Sequence, residues 1–148
     1  MSEYSVSLIP PMVVEPMWSQ LEPQMARAAS HTAGRFDTHD IFEFVLNGSG
    51  QLWGAFHKDR IVGVTVTRTI QYPRKKCLDV VFLGGEDWDG WREAMYDIVE
   101  RWARDSGCEA IESFGRSGFA RVFKERGYEP LWQVFEFPVT AGVGEYHG

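Results

Sequence analysis

The chain has 148 residues, 44% of them hydrophobic and 24% charged, which supports one domain able to bury its own apolar core. It carries 15 Lys and Arg against 21 Asp and Glu, a formal charge of −6 that argues against nonspecific binding to nucleic acid or an anionic membrane. No apolar run approaches the roughly 18 residues of a membrane-spanning helix, and the first residues, MSEYSVSLIPP, lack the basic and apolar regions of a signal peptide. Cys77 and Cys108 make neither a disulfide framework nor a metal-binding pair, so reduced thiols in a cytoplasmic protein are the default.

In chain order, Tyr4–Ile9 reads as a short edge strand stopped by Pro10 and Pro11, which cannot donate ladder hydrogen bonds. Met17, Leu21, Met25 and Ala28 recur at helical spacing and predict a helix from Pro16 to Ala29, kinked or split at Pro23. Thr38 is the expected cap of a helix over Asp40–Leu46, which Asn47-Gly48 ends. The period then changes. Gln51–His57 and Arg60–Tyr72 predict a hairpin closed at Lys58-Asp59, and Cys77–Leu83 a third strand, apolar apart from Asp79.

The strongest helical stripe follows Gly84-Gly85: Trp91, Met95, Ile98, Val99 and Trp102 within Trp88–Ser106. A short strand over Ala110–Phe114 comes next, then a helix capped by Ser117 and ended by Gly127, then a last strand from Leu131 to Phe137. Residues 1–140 are expected to form one domain and Ala141–Gly148 a fraying tail. Consecutive strands on short turns followed by βαβαβ indicate an α/β fold, a mixed sheet with helices on both faces.

Three segments carry a resemblance: GQLWGAFHKDRIVGVTVT (residues 50–67), the third strand running into LGGEDWDGW, and GRSGFARVFKERGYEP (residues 115–130). Together they resemble the GNAT (GCN5-related N-acetyltransferase) superfamily over residues 4–138, and look most like small GNAT-like proteins encoded by bacteriophages. The resemblance implies central strands that splay apart and acetyl-CoA held between them. It places the pyrophosphate at the N-terminus of the following helix, where unpaired N–H groups and the helix dipole favour an anion. The matching cofactor-binding residues are Phe82, Leu83, Gly84, Gly85 and Trp88, with Arg116 and Phe123 on the penultimate helix.

The chain departs from the family pattern twice. In place of the usual Gln/Arg-x-x-Gly-x-Gly/Ala loop it has Gly84-Gly85 followed by Glu86, Asp87 and Asp89. Those carboxylates compete with a phosphate for the same donors, and like charges a few ångströms apart cost about 1 kcal/mol per pair in water, so altered phosphate recognition is expected. Aligning FKERGY with the family's helix puts Phe123 where many members have a proton-donating Tyr, and Arg116 where they have Asn. Tyr128 falls at a core aromatic position.

Asp79 is the best-placed carboxylate for a base and Glu112 the second choice; a lone acid in an apolar strand otherwise faces solvent or pairs with an arginine. Gly84-Gly85 is a ligand loop or simply a bulge and turn, and Arg116 grips a phosphate or an acidic neighbour. His31, His39, His57 and His147 have no ligand spacing, so no metal is expected.

Two functions of different classes follow. One is N-acetyl transfer from acetyl-CoA to an amine on a small molecule or a protein. The other is a GNAT-like chain without turnover that binds a host or virion protein, a sensor holding CoA being a weaker variant. A phage origin implies the host cytoplasm, and the family habit implies a homodimer, which exposed aromatics such as Trp18 or Trp132 would support.

Overall fold

The computed structural model describes residues 3–114 and 119–139. The chain divides into two compact units, Met1–Phe114 and Gly115–Gly148. The first unit holds a five-stranded sheet in the order β1 (Tyr4–Ile9), β2 (Gln51–His57), β3 (Arg60–Gln71), β4 (Lys76–Gly85) and β5 (Ala110–Ser113). The first four strands form an antiparallel meander, and β5 joins β4 in parallel after a helical crossover. The fold is therefore α/β with a mixed sheet.

The meander follows from its turns. Lys58 and Asp59 both adopt positive φ (50° and 68°), the two-residue geometry whose twist matches paired strands. At the next corner Tyr72 and Lys75 exchange backbone hydrogen bonds of 2.8 and 3.4 Å, which sets the β3–β4 register.

Helices cover both faces. On one, α2 (Trp18–Ala29) and α3 (Thr38–Leu46), preceded by the short α1 (Pro11–Val14), bury Val14, Leu21, Met25, Ile41 and Val45 against Leu52, Val64, Val66 and Phe82. On the other, α4 (Trp88–Asp105) sets Trp91, Met95, Val99 and Ala103 against Trp53, Ala55, Val62 and Leu78. The stripe read from the sequence is thus the buried face of α4.

Several boundaries differ from expectation. Pro16 opens no helix; the chain makes one turn as α1 and restarts at Trp18. Pro23 lies inside α2 without ending it, because one missing N–H removes only one rung of the ladder. The cap of α3 is Asp37, not Thr38: its carboxylate accepts from the Asp40 N–H at 2.9 Å, and Asp40 accepts in return from the Asp37 N–H at 3.0 Å. The third strand extends two residues further, through both glycines.

In the second unit, α5 (Ala120–Arg126) ends at Gly127 in the left-handed region (φ 109°), the conformation that favours glycine. The expected strand over Leu131–Phe137 is absent: residues 128–139 form no regular element, and Leu131, Trp132, Val134, Phe135 and Phe137 are 64–85% exposed. A strand needs a ladder partner, and the described residues of this unit contain no other strand. Ser117, Arg116 and the expected tail 141–148 lie outside the described residues. Among the described residues no helix is long and apolar enough to cross a membrane.

Candidate active site at the open end of β4

The β4–β5 ladder is short. It pairs Cys77, Leu78, Asp79 and Val80 with Ala110, Ile111, Glu112 and Ser113, and stops there. β4 runs on for five residues, Val81–Gly85, without a β5 partner. The cause lies on its other side: Thr67 pairs with Val80 while Val66 pairs with Phe82, so Val81 is an extra residue. Such a bulge bends its strand and strengthens the local twist, which turns the second half of β4 away from β5. The result is a strand edge whose amides and carbonyls can hydrogen-bond an extended ligand as another strand would.

Just before the bulge sits Asp79, 2% exposed. Its Oδ2 accepts from Arg68 Nε at 3.0 Å, and among the described residues its buried Oδ1 has no hydrogen-bond partner. Burial pushes the Asp79 carboxyl above its ordinary value, Arg68 pulls it back, and the charge of Glu112 adds to the rise. Glu112 is the register neighbour of Asp79 on β5, and it accepts from the Tyr72 hydroxyl at 2.5 Å. That bond holds the Tyr72 proton, pushing its pKa up to about 12. Both sequence-predicted carboxylates therefore meet beside the bulge, each with one partner that sequence reading did not supply. Arg68 was within reach of such reading: counted from the Tyr72–Lys75 turn, it stands directly opposite Asp79.

The other candidates sort by position. The Phe82 ring is core, packed edge-on against Phe36 and Phe44 at 4.9 and 5.6 Å, so only its backbone is available to the strand edge. Leu83 packs with the α4 face. Gly84 and Gly85 have a packing reason. A Cβ on Gly84 would lie 2.3 Å from the Ala28 backbone nitrogen, and one on Gly85 2.5 Å from Gly63 Cα. Trp88 sits edge-on to Trp91 at 4.7 Å and to Tyr96 at 6.0 Å. Trp18 packs at a tilt against Phe42, ring centroids 4.5 Å apart, and is half-buried, not the exposed aromatic expected. Phe123 belongs to the second unit, against Phe119 and Tyr128, both at 5.4 Å. Arg116 is outside the described residues.

The three carboxylates after the glycines do not cap α4. Asp87 is its N-cap residue, in a left-handed conformation (φ 57°, ψ 37°), and its side chain makes no capping bond. Asp87 Oδ2 instead accepts from the Tyr4 hydroxyl at 3.4 Å, and Asp89 pairs with Arg92 at 2.8 Å. Glu86 turns to Arg27 at 2.6 Å and Arg60 at 2.8 Å, which hold its carboxyl down to about 2. Among the described residues no three His, Cys, Asp or Glu side chains are grouped to hold a metal.

The sequence matches no family model and no curated protein. Solved structures do match. A ribosomal-protein-alanine N-acetyltransferase from Brucella melitensis biovar Abortus 2308 superposes with a TM-score of 0.71 at 12% identity, covering 93% of this chain and 99% of that one. An aminoglycoside acetyltransferase from an uncultured soil metagenomic sample, in complex with sisomicin, gives 0.62 at 15% identity over 94% and 97%. A predicted acetyltransferase from Clostridium acetobutylicum, crystallised with acetyl-CoA, gives 0.64 at 13% identity over 91% and 96%. The chain thus shares the overall α/β fold of these structures.

Proposed function

We propose that this protein is a GNAT-type N-acetyltransferase that moves an acetyl group from acetyl-CoA to an amine. The observation that carries the reading is the bulge at Val81, after which β4, still paired with β3 but without a β5 partner on its other edge, runs into the uncapped N-terminus of α4. The described residues fit the cofactor: the β4 edge from Val81 to Gly85 offers strand-like partners to the pantetheine amides, and the turn at Glu86–Asp89 offers the positive end of a helix to the phosphates. Because Glu86 is held by Arg27 and Arg60 and Asp89 by Arg92, competition with a phosphate falls mainly to Asp87. Trp88 completes the wall beside that turn.

When bound, acetyl-CoA supplies a thioester carbonyl activated toward attack by nitrogen. Asp79, with its raised carboxyl and unpartnered Oδ1, takes the proton of the acceptor ammonium, and Glu112 is the second carboxylate able to do so. Attack by the freed amine on the thioester carbonyl would form the amide N–C bond as the C–S bond breaks, and the second proton lost by that nitrogen would pass through water to the departing thiolate. The acceptor is an amine on a small molecule or on a protein, the structural relatives being named for an aminoglycoside and for a ribosomal-protein alanine.

Thermal denaturation with saturating acetyl-CoA tests the reading. Ligand at 100 times Kd adds about 2.7 kcal/mol, a rise of roughly 5–10 °C for a chain of this size. A thiol-release assay over a panel of primary amines follows. No thermal shift and no thiol release would sink the proposal.

A further inference from the structure

Glu86, which no family pattern calls for, is anchored at all four of its polar atoms. Its N–H donates to the Val62 carbonyl at 2.8 Å, and its own carbonyl accepts from Trp91 Nε1 at 2.7 Å. Its Oε2 accepts from Arg27 Nη1 at 2.6 Å and from Gln24 Nε2 at 3.4 Å, and its Oε1 from Arg60 Nη1 at 2.8 Å. Gln24 is itself buried, accepts from Arg27 at 2.9 Å and donates to the Ile61 carbonyl at 3.3 Å. One side chain thus ties α2 and the start of β3 to the point where β4 becomes α4.

The next residue explains why such an anchor is needed. Asp87 is a non-glycine residue in the left-handed region (φ 57°), a conformation that side chains disfavour and that persists where its surroundings impose it. Released from Glu86, the turn would relax and the first N–H groups of α4 would change direction.

We propose that Glu86 is a positioning residue: clamped by Arg27, Gln24 and Arg60, it holds the β4–α4 turn in the backbone shape that presents α4 to the phosphates of acetyl-CoA. This rests on the cofactor reading above. It makes a prediction of unusual sign, because a carboxylate acting only by its charge would repel phosphates and its removal would tighten binding.

The test compares wild type with Glu86→Gln and Arg60→Met, titrating acetyl-CoA by calorimetry and following amide hydrogen exchange of residues 86–90 in the ligand-free proteins. Glu86→Gln is expected to weaken acetyl-CoA binding about tenfold despite removing a negative charge, and to speed exchange in the turn. In turnover assays the loss falls on KM for acetyl-CoA and not on KM for the amine. Arg60 is exposed, so Arg60→Met tests the clamp without endangering the fold and is expected to move affinity and exchange in the same direction. Binding as tight as wild type or tighter in Glu86→Gln, or unchanged exchange in both variants, overturns the clamp. If wild type itself binds no acetyl-CoA, the proposed function fails, and the clamp is then decided by exchange alone.

Discussion

Asp79 occupies a position that a stability argument alone would give to valine or leucine. Its carboxylate is buried, among the described residues one oxygen is unpartnered, and it pairs with Arg68, a side chain 44% exposed that water can solvate instead. Burial raises its pKa above the ordinary 3.8. For a carboxyl raised in the folded state, the stabilising contribution is complete below the unfolded value and is lost as pH rises through the folded one. At neutral pH the ionised group is therefore a burden. Asp79→Asn is expected to keep or raise the melting temperature at neutral pH, with its advantage shrinking toward pH 4, while abolishing acetyl transfer. A lower melting temperature for the variant at neutral pH, or retained turnover, would contradict this.

Elements were legible where a local rule acts without help from the rest of the chain. The α4 stripe, the Lys58-Asp59 hairpin and the β5 start at Ala110 depend on neighbouring residues, and each lies where the pattern puts it. The start of α3 shows how such a rule can be misapplied by one position. Thr38 and Asp37 are both capping residues, and the choice falls to Asp37 because Asp40 then stands at the third helical position and closes a reciprocal pair. Asp37→Ala is expected to cost about 1 kcal/mol in chemical denaturation and Thr38→Ala only a few tenths. Equal losses would return the cap to Thr38. The Leu131–Phe137 segment failed for a different reason. Its Trp, Val and Phe content is strand-like, but composition describes what a sheet would accept, not whether a neighbour is there.

Across the whole first unit, two helical layers close on one sheet, and glycines set how near they come. Gly84 lies where the α2 backbone at Ala28 approaches β4 too closely for any side chain, and Gly63 where the Trp91 ring lies on β3. Gly84→Ala is expected to destabilise by about 1–3 kcal/mol, because the obstacle is backbone and cannot rotate away; the wild-type melting temperature in that variant would remove this account. A bulky substitution at Gly85 would likewise damage packing against β3, so the polar anchors of Glu86 are the cleaner way to probe the turn.

By itself the sequence determined the α/β class, the order of elements from β2 to β5 and the two candidate carboxylates, because hydrophobic period, turn chemistry and residue type are written locally. Tertiary structure alone decided that Val81 bulges, that β5 stops at Ser113, and that Tyr72, Arg27 and Arg60 reach the acids they serve. Those outcomes depend on strand register and on side chains separated by 26 to 59 positions in the chain, distances over which no local pattern carries information.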